Sequence, residues 1–136
     1  MDGPTERGSP TPDDSDTVVL RAGCHPRYAR VVRTVCASCA SLQDFSIDRI
    51  GDVRLLADEV FNAVGALGAS AVVFRLRAVD GALAIEVEAD RDEGASQPEE
   101  ALQLVAMMSS VIAPGAELSV EPRRVRFVAA IVPDPA

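Results

Sequence analysis

Lysine and tryptophan are absent from the 136 residues of this chain, and histidine occurs once, at His25. Each gap excludes chemistry. Without lysine there is no P-loop cation, no Schiff-base nucleophile and no amine general base. With His25 alone, a histidine-based catalytic triad has only one position to be built on, which leaves hydrolase readings little room. Long apolar runs are also missing, and none approaches the roughly 20 residues of a membrane-spanning helix. No charged-then-apolar leader opens the chain, so the expected location is the cytoplasm, away from membranes. Positive charge is scarce, with 13 arginines against 21 acids for a formal −8. Nucleic-acid binding by phosphate neutralisation is therefore disfavoured unless arginines gather on one face.

What is present suits a globular protein. Hydrophobic residues make up 48% and charged residues 25%, and the length allows one domain with one core. Residues 1–16 (MDGPTERGSPTPDDSD) carry five acids and one arginine, half of the net charge, and no bulky apolar residue beyond Met1. Such a segment cannot bury enough surface to order itself, which predicts a disordered acidic tail ahead of a single domain over 17–133.

Within that domain, TVVLRA (17–22) reads as a short strand. Pro26 is placed to start a helix, with Tyr28, Val31, Val32, Val35, Cys36, Cys39 and Leu42 as its apolar stripe and Arg27, Arg30 and Arg33 on the opposite side. Ser46 is a candidate N-cap, with Asp48 in the first turn, for a second helix. Its core face runs Ile50, Val53, Ala57, Val60, Phe61, Val64, and its polar side carries Asp58, Glu59 and Asn62. AVVFRLRAV-DG-ALAIEVEA predicts a β-hairpin turning at Asp80-Gly81. Pairing outward sets Ala78 opposite Leu83, Leu76 opposite Ile85 and Phe74 opposite Val87 on one face, with Arg75 opposite Glu86 on the other. After the polar loop Asp90–Gln97, Pro98-Glu99-Glu100 opens a third helix reaching about Val111, with Met107-Met108 expected in the core. Two closing strands, Glu117–Val120 and Arg124–Val132, turn around Glu121-Pro122. The order β-α-α-β-β-α-β-β predicts an α/β chain in the α+β two-layer sense, a mixed sheet of about five strands covered on one face by three helices.

Cys36-Ala-Ser-Cys39 has redox or metal-ligand spacing, and Cys24-His25 could complete a Cys₃His set. Both motif cysteines, however, lie on the apolar stripe of a helix, where a cysteine ordinarily packs as a small hydrophobe. Core packing is the favoured reading, with a thiol or zinc sensor as the alternative. His25 is expected to be a loop or cap residue.

The segment IGDVRLLADEVFNAV (50–64) resembles the second helix of the RsbW-like anti-sigma factors, small bacterial serine kinases with the histidine-kinase-type (GHKL, Bergerat) ATPase fold. By element order the resemblance extends over residues 17–132. It implies a Glu followed four residues later by an Asn that holds Mg²⁺ on ATP. If Glu59 takes the Glu position, the place four later is Ala63; Asp58 and Asn62 have the right spacing but offer the shorter acid. The family's adenine-binding Asp-x-Gly-x-Gly falls on ADRDEG (89–94). Aligned without a gap it puts Ala89 in place of the Asp, and the generous alternative uses Asp90, Asp92 and Gly94. The Gly-x-Gly-Leu turn that presents backbone N–H groups to phosphates is replaced by Gln97-Pro98-Glu99-Glu100, where one donor is lost and carboxylates already occupy the positive helix end.

These departures give the expectation of an anti-sigma factor without ATP-dependent kinase activity and without a cofactor. Glu59 and Asp58 would be vestiges of the catalytic acid, and Asn62, Asp90 and Gly94 vestiges of the nucleotide site. The resemblance further implies that Arg27, Arg30 and Arg33 contact acidic residues of a sigma factor, that an anti-anti-sigma (STAS) protein releases it, and that the chain can form a homodimer. The alternative is an active serine kinase in which Asp58 and Asn62 hold Mg²⁺ and Asp90 reads adenine.

Overall fold

In the computed structural model, which describes residues 16–134, the chain enters through strand β1 (Thr17–Gly23). The acidic segment expected to be disordered lies, apart from Asp16, outside the described residues. Pro26 presets the backbone of a single 3₁₀ turn, Pro26–Tyr28, capped by His25, whose Nδ1 accepts from the Arg27 N–H at 3.3 Å. Helix α1 (Ala29–Ser41) follows and buries Val32, Cys36, Ala37, Cys39 and Ala40. These are small side chains, and they let α1 lie close against its neighbour. Helix α2 (Ile47–Ala66) starts where expected, with the Ser46 hydroxyl accepting from the Arg49 N–H at 3.1 Å. It ends as the chain passes through Leu67 into Gly68, whose φ of +93° is left-handed backbone that suits a glycine.

Strands β2 (Ala71–Val79) and β3 (Ala82–Asp90) form the hairpin in the expected register, with Phe74 opposite Val87, Leu76 opposite Ile85 and Ala78 opposite Leu83. Asp80 and Gly81 both have positive φ, 52° and 83°, as a two-residue turn matched to strand twist requires. Helix α3 (Glu99–Ile112) and strands β4 (Glu117–Val120) and β5 (Arg124–Ile131) complete the domain. The result is a two-layer α+β fold, a five-stranded sheet in the order β1-β2-β3-β5-β4 carrying three helices.

The sheet is antiparallel throughout, not mixed as expected. The connections explain the difference. Two helices between β1 and β2 carry the chain out and back, so β2 runs against β1. The single helix between β3 and β4 would make those two strands parallel, but β5 sits between them and opposes both.

The core lies between the layers. Phe74, Leu76, Leu83, Ile85, Val87, Val125, Phe127, Ala129 and Ile131 rise from the sheet to meet Val53, Leu56, Val60, Phe61 and Val64 of α2, with Val105 and Ile112 from α3. The helical stripes are narrower than expected. Val31 of α1, Leu42 just past its end and Met107 of α3 are 45%, 79% and 60% exposed, so none of them belongs to the core. With α2 between α1 and α3 over the sheet, the two outer helices need only a narrow strip of contact, whereas α2 buries a broad face of eight residues. No helix among the described residues is long and apolar enough to cross a membrane.

Candidate functional site

The polar side of α2 faces α1, and there the two sets of residues singled out in the sequence meet. Arg33 Nη1 donates to Asp58 Oδ1 at 2.9 Å, with both side chains half-buried. The pairing tethers one arginine of the stripe opposite the apolar face of α1 to the acid best spaced for a metal site. Arg27 and Arg30 remain exposed. The Arg27 guanidinium lies 5.0 Å from the Tyr28 ring centroid and donates to its hydroxyl at 3.1 Å, which holds it in place without neutralising it. Glu59 is half-buried and makes no side-chain hydrogen bond among the described residues. Asn62, one turn beyond Asp58, is exposed at the rim of a hollow of about 170 Å³ that it shares with Cys24, Pro26, Phe61, Gly65 and Ala66.

At the end of β3 the strand alternation distinguishes Ala89 from Asp90. Leu83, Ile85, Val87 and Ala89 point into the core, so Ala89 holds the inward position and carries no polar group. Asp90 points to the other face of the sheet, opposite Arg124 in the register, and lines an open cleft of about 250 Å³ with Arg21, Ser70, Glu88 and Arg124. Gly94, with φ of +91°, is exposed in the loop beyond. The structure therefore brings Arg33 to Asp58 and separates Asp90 from Asp58 and Asn62 by the thickness of the sheet.

The residue that organises this end of the molecule belongs to none of the motifs singled out in the sequence. Arg91 is 7% exposed and is surrounded by main-chain oxygens. Its Nε donates to Leu67 O at 2.9 Å, Nη1 to Glu121 O at 3.1 Å, and Nη2 to Ala95 O at 2.9 Å and Ser96 O at 3.2 Å. One guanidinium thus ties the C-terminal end of α2, the loop after β3 and the β4–β5 turn together. The loop is also seated on Gly68, where a Cβ would come within 2.7 Å of Ala95 Cβ, and Asp92 N–H donates to Gly68 O. The signal was available: extending the inward alternation past Ala89 reaches Arg91. Beyond the loop, Pro98 caps α3 with no side-chain hydrogen bond, and Glu99 and Glu100 occupy its first turn.

A second buried arginine, Arg49, was missed in the same way, although it shares the inward face of α2 with Val53, Leu56 and Val60. It donates to Ile112 O, Val132 O and Pro133 O and pairs with Asp52 at 3.1 Å. On the outer face of the sheet, Arg75 opposes Glu86 in the register as expected, but its guanidinium reaches diagonally to Glu88 at 3.2 Å. Arg124 also binds Glu88, at 3.1 Å, and Glu86 is taken by Arg126 at 2.7 Å. Partial burial works against the Glu88 carboxylate, but hydrogen bonds and charge from Arg124 and then Arg75 prevail and hold it below the usual carboxylate range.

The cysteines are free thiols. Cys36 and Cys39 are buried in the core and Cys24 is half-buried. Burial, reinforced by the neighbouring Cys39, pushes the Cys36 thiol up to about 12. Burial also raises Cys24 and Cys39. These are the surroundings of packing residues rather than of nucleophilic thiolates. Among the described residues, no group of three or more His, Cys, Asp and Glu is placed to hold a metal ion.

No protein-family model matches this chain, and no curated protein sequence matches it.

Proposed function

We propose that this chain is a non-catalytic, RsbW-like anti-sigma factor of the bacterial cytoplasm, which sequesters an alternative sigma factor through the exposed face of α1 and is released by competition from a STAS-type antagonist. The reading rests on the resemblance of residues 50–64, and the order β-α-α-β-β-α-β-β is the one that resemblance implies. The observation that carries the non-catalytic part is the Arg33–Asp58 pair. The one acid spaced four residues before Asn62 is already neutralised by an arginine of the same chain.

Three further features speak against a bound magnesium triphosphate. The inward position at the end of β3 is Ala89, so a buried adenine amino group would meet a methyl group. The Arg91 guanidinium holds the following loop shut against α2. At the start of α3 a proline stands where a donor is needed, and two carboxylates face incoming phosphate. In their present arrangement these residues do not fit the group.

Arg27 and Arg30 support the binding part. Both are exposed, and arginine is suited to bidentate recognition of carboxylates. The double reversal Arg27→Glu with Arg30→Glu is expected to weaken binding by well over tenfold in titrations against a panel of bacterial alternative sigma factors. Unchanged affinity for a sigma factor that binds the wild-type chain would overturn the surface assignment. Calorimetric titration with Mg-ATP is expected to give no heat at high micromolar nucleotide. One-to-one binding, with phosphate transfer to a STAS protein, would instead establish the kinase.

A further inference from the structure

The charge on the sheet is allotted strand by strand. β2 carries Arg75 and Arg77 and no acid, and β3 carries Glu86, Glu88 and Asp90 and no base. β5 carries Arg124 and Arg126, and β4 carries Glu117. All of these stand on the outer face, because the residues that alternate with them turn toward the core. In the order β2-β3-β5-β4 every neighbouring pair is therefore opposite in sign, as favourable cross-strand pairing requires. β1 breaks the rule. Its one charge is Arg21, and the β2 strand beside it is also positive. Arg21 and Arg77 form no ion pair among the described residues, whereas Arg75, Arg124 and Arg126 each have a glutamate.

β1 is also an unblunted edge. Its seven residues pair with β2 in one unbroken register, from Thr17 opposite Arg77 to Gly23 opposite Ala71. The strand has no proline, no bulge and no inward-pointing charge, the devices that ordinarily keep an edge from accepting another strand. The opposite edge is protected, since β4 has only four residues and the Glu121-Pro122 turn follows it. Among the described residues no strand pairs with the outer side of β1, so alternate N–H and C=O groups there present half a ladder. Val18 points inward, opposite buried Leu76, yet is 43% exposed, and Val19 on the outer face is 51% exposed.

We propose that β1 accepts an extended segment of a partner protein as a sixth strand, with apolar residues on its inward side and acids on its outward side. Main-chain hydrogen bonds supply the affinity and the alternate side chains the selectivity. Apolar side chains cover Val18 and Leu20. One acid stands opposite Arg21, and a second, opposite Thr17, meets Arg77 directly behind it in the register. A second copy of β1 fits less well, because it brings another arginine and no acid to an edge already positive on both strands. The sequence just ahead of β1 is also unsuited to a ladder, since Pro4, Pro10 and Pro12 each lack the N–H it needs. An acidic strand extends the alternation of sign by one place. The proposal rests on the sheet alone and holds whether or not α1 receives a sigma factor.

The probe is the capped peptide Val-Glu-Val-Thr-Val-Glu-Val, whose pattern reads the same in parallel and antiparallel pairing, titrated into the ¹⁵N-labelled full chain. Two control peptides replace both glutamates with lysine, or scramble the order so that the alternation is lost. The acidic peptide is expected to shift the amides of β1 saturably and to slow hydrogen exchange at those that exchange fast without it. Both controls are expected to bind about fivefold more weakly or worse. Arg21→Glu is expected to weaken the acidic peptide about five- to tenfold, the span between a favourable and an unfavourable cross-strand pair, and to strengthen the lysine peptide. Arg77→Glu is expected to act in the same direction, so the test does not hang on one variant; both positions are exposed, and a dispersed spectrum checks the fold. No saturable shift, shifts centred away from β1, equal binding of either control peptide, or unchanged binding by both variants would each overturn the proposal. So would β1 amides that all exchange slowly before peptide is added, or a dimer in sedimentation equilibrium that Val19→Lys dissociates, since the edge would then already be held.

Discussion

Two arginines account for much of how the ends of this domain are fastened, Arg91 through main-chain oxygens and Arg49 through main-chain oxygens and one acid, Asp52. A guanidinium has five N–H donors in a fixed planar fork, and Arg91 uses it to reach four carbonyls on three separate segments. Replacing Arg91 with Met would keep the volume and leave those carbonyls unpaired in a buried position. The expected loss is about 3 kcal/mol in urea unfolding, with Arg91→Lys recovering only a part because a single ammonium cannot span the same fork. Thiol chemistry provides a second check at this scale. With its thiol raised to about 12 by burial and by Cys39, Cys36 is expected to resist iodoacetamide at pH 8 in the native protein. Cys24, only half-buried, should be modified first, and all three should react in denaturant; peptide mass spectrometry reads the order. Sequence patterns miss arginines such as Arg49 and Arg91 because a charged residue is ordinarily assigned to the surface. Local periodicity places both on an inward face, but the carbonyls that make burial of a guanidinium tolerable come from distant segments, and no local window contains those.

Elements were more legible than residues, because their signals are local. The hairpin register followed from Asp80-Gly81 and the alternation on either side, and the start of α2 from Ser46, whereas Pro26, expected to start the helix, opens a 3₁₀ turn and α1 begins three residues later. Strand direction was less legible. Adjacency of β3 with β5 is a long-range choice, and it turns an expected mixed sheet into an antiparallel one. The candidate nucleotide residues were legible as a motif but not as a site, since a one-residue offset at the end of β3 decides whether Asp90 faces the helices or the opposite surface. The join between α2 and the loop after β3 depends on Gly68. Gly68→Ala imposes a side chain on left-handed backbone and pushes it into Ala95, so a destabilisation on the order of 2 kcal/mol is expected. If the close contact contributes, adding Ala95→Gly should recover a measurable share, leaving only the backbone strain. A double-mutant cycle by urea unfolding separates the two.

Across the whole molecule the two faces divide the charge differently. The outer face of the sheet is a lattice of arginine–glutamate pairs centred on Glu88, whereas Arg27 and Arg30 on the helical side form no ion pair among the described residues. Glu88 titrates below the usual carboxylate range when folded, so its contribution is present above the ordinary value and lost as pH falls through the lowered one. Between pH 5 and pH 3 the wild-type protein is therefore expected to lose more unfolding free energy than Glu88→Gln. Parallel curves for the two proteins would show that the lattice is a solvated surface with no net effect.

Arg49 has a consequence for how the molecule comes into being. The oxygens it binds on Ile112, Val132 and Pro133 lie 63, 83 and 84 positions further along the chain. Closing contacts of that span has an entropic cost that must be met before they stabilise anything. During synthesis α2 emerges with a guanidinium that has Asp52 beside it but whose main-chain partners have not yet been translated. The seat of α2 is therefore completed only by the segment after β5, which reaches back across 83 and 84 positions to a helix from the first half of the chain.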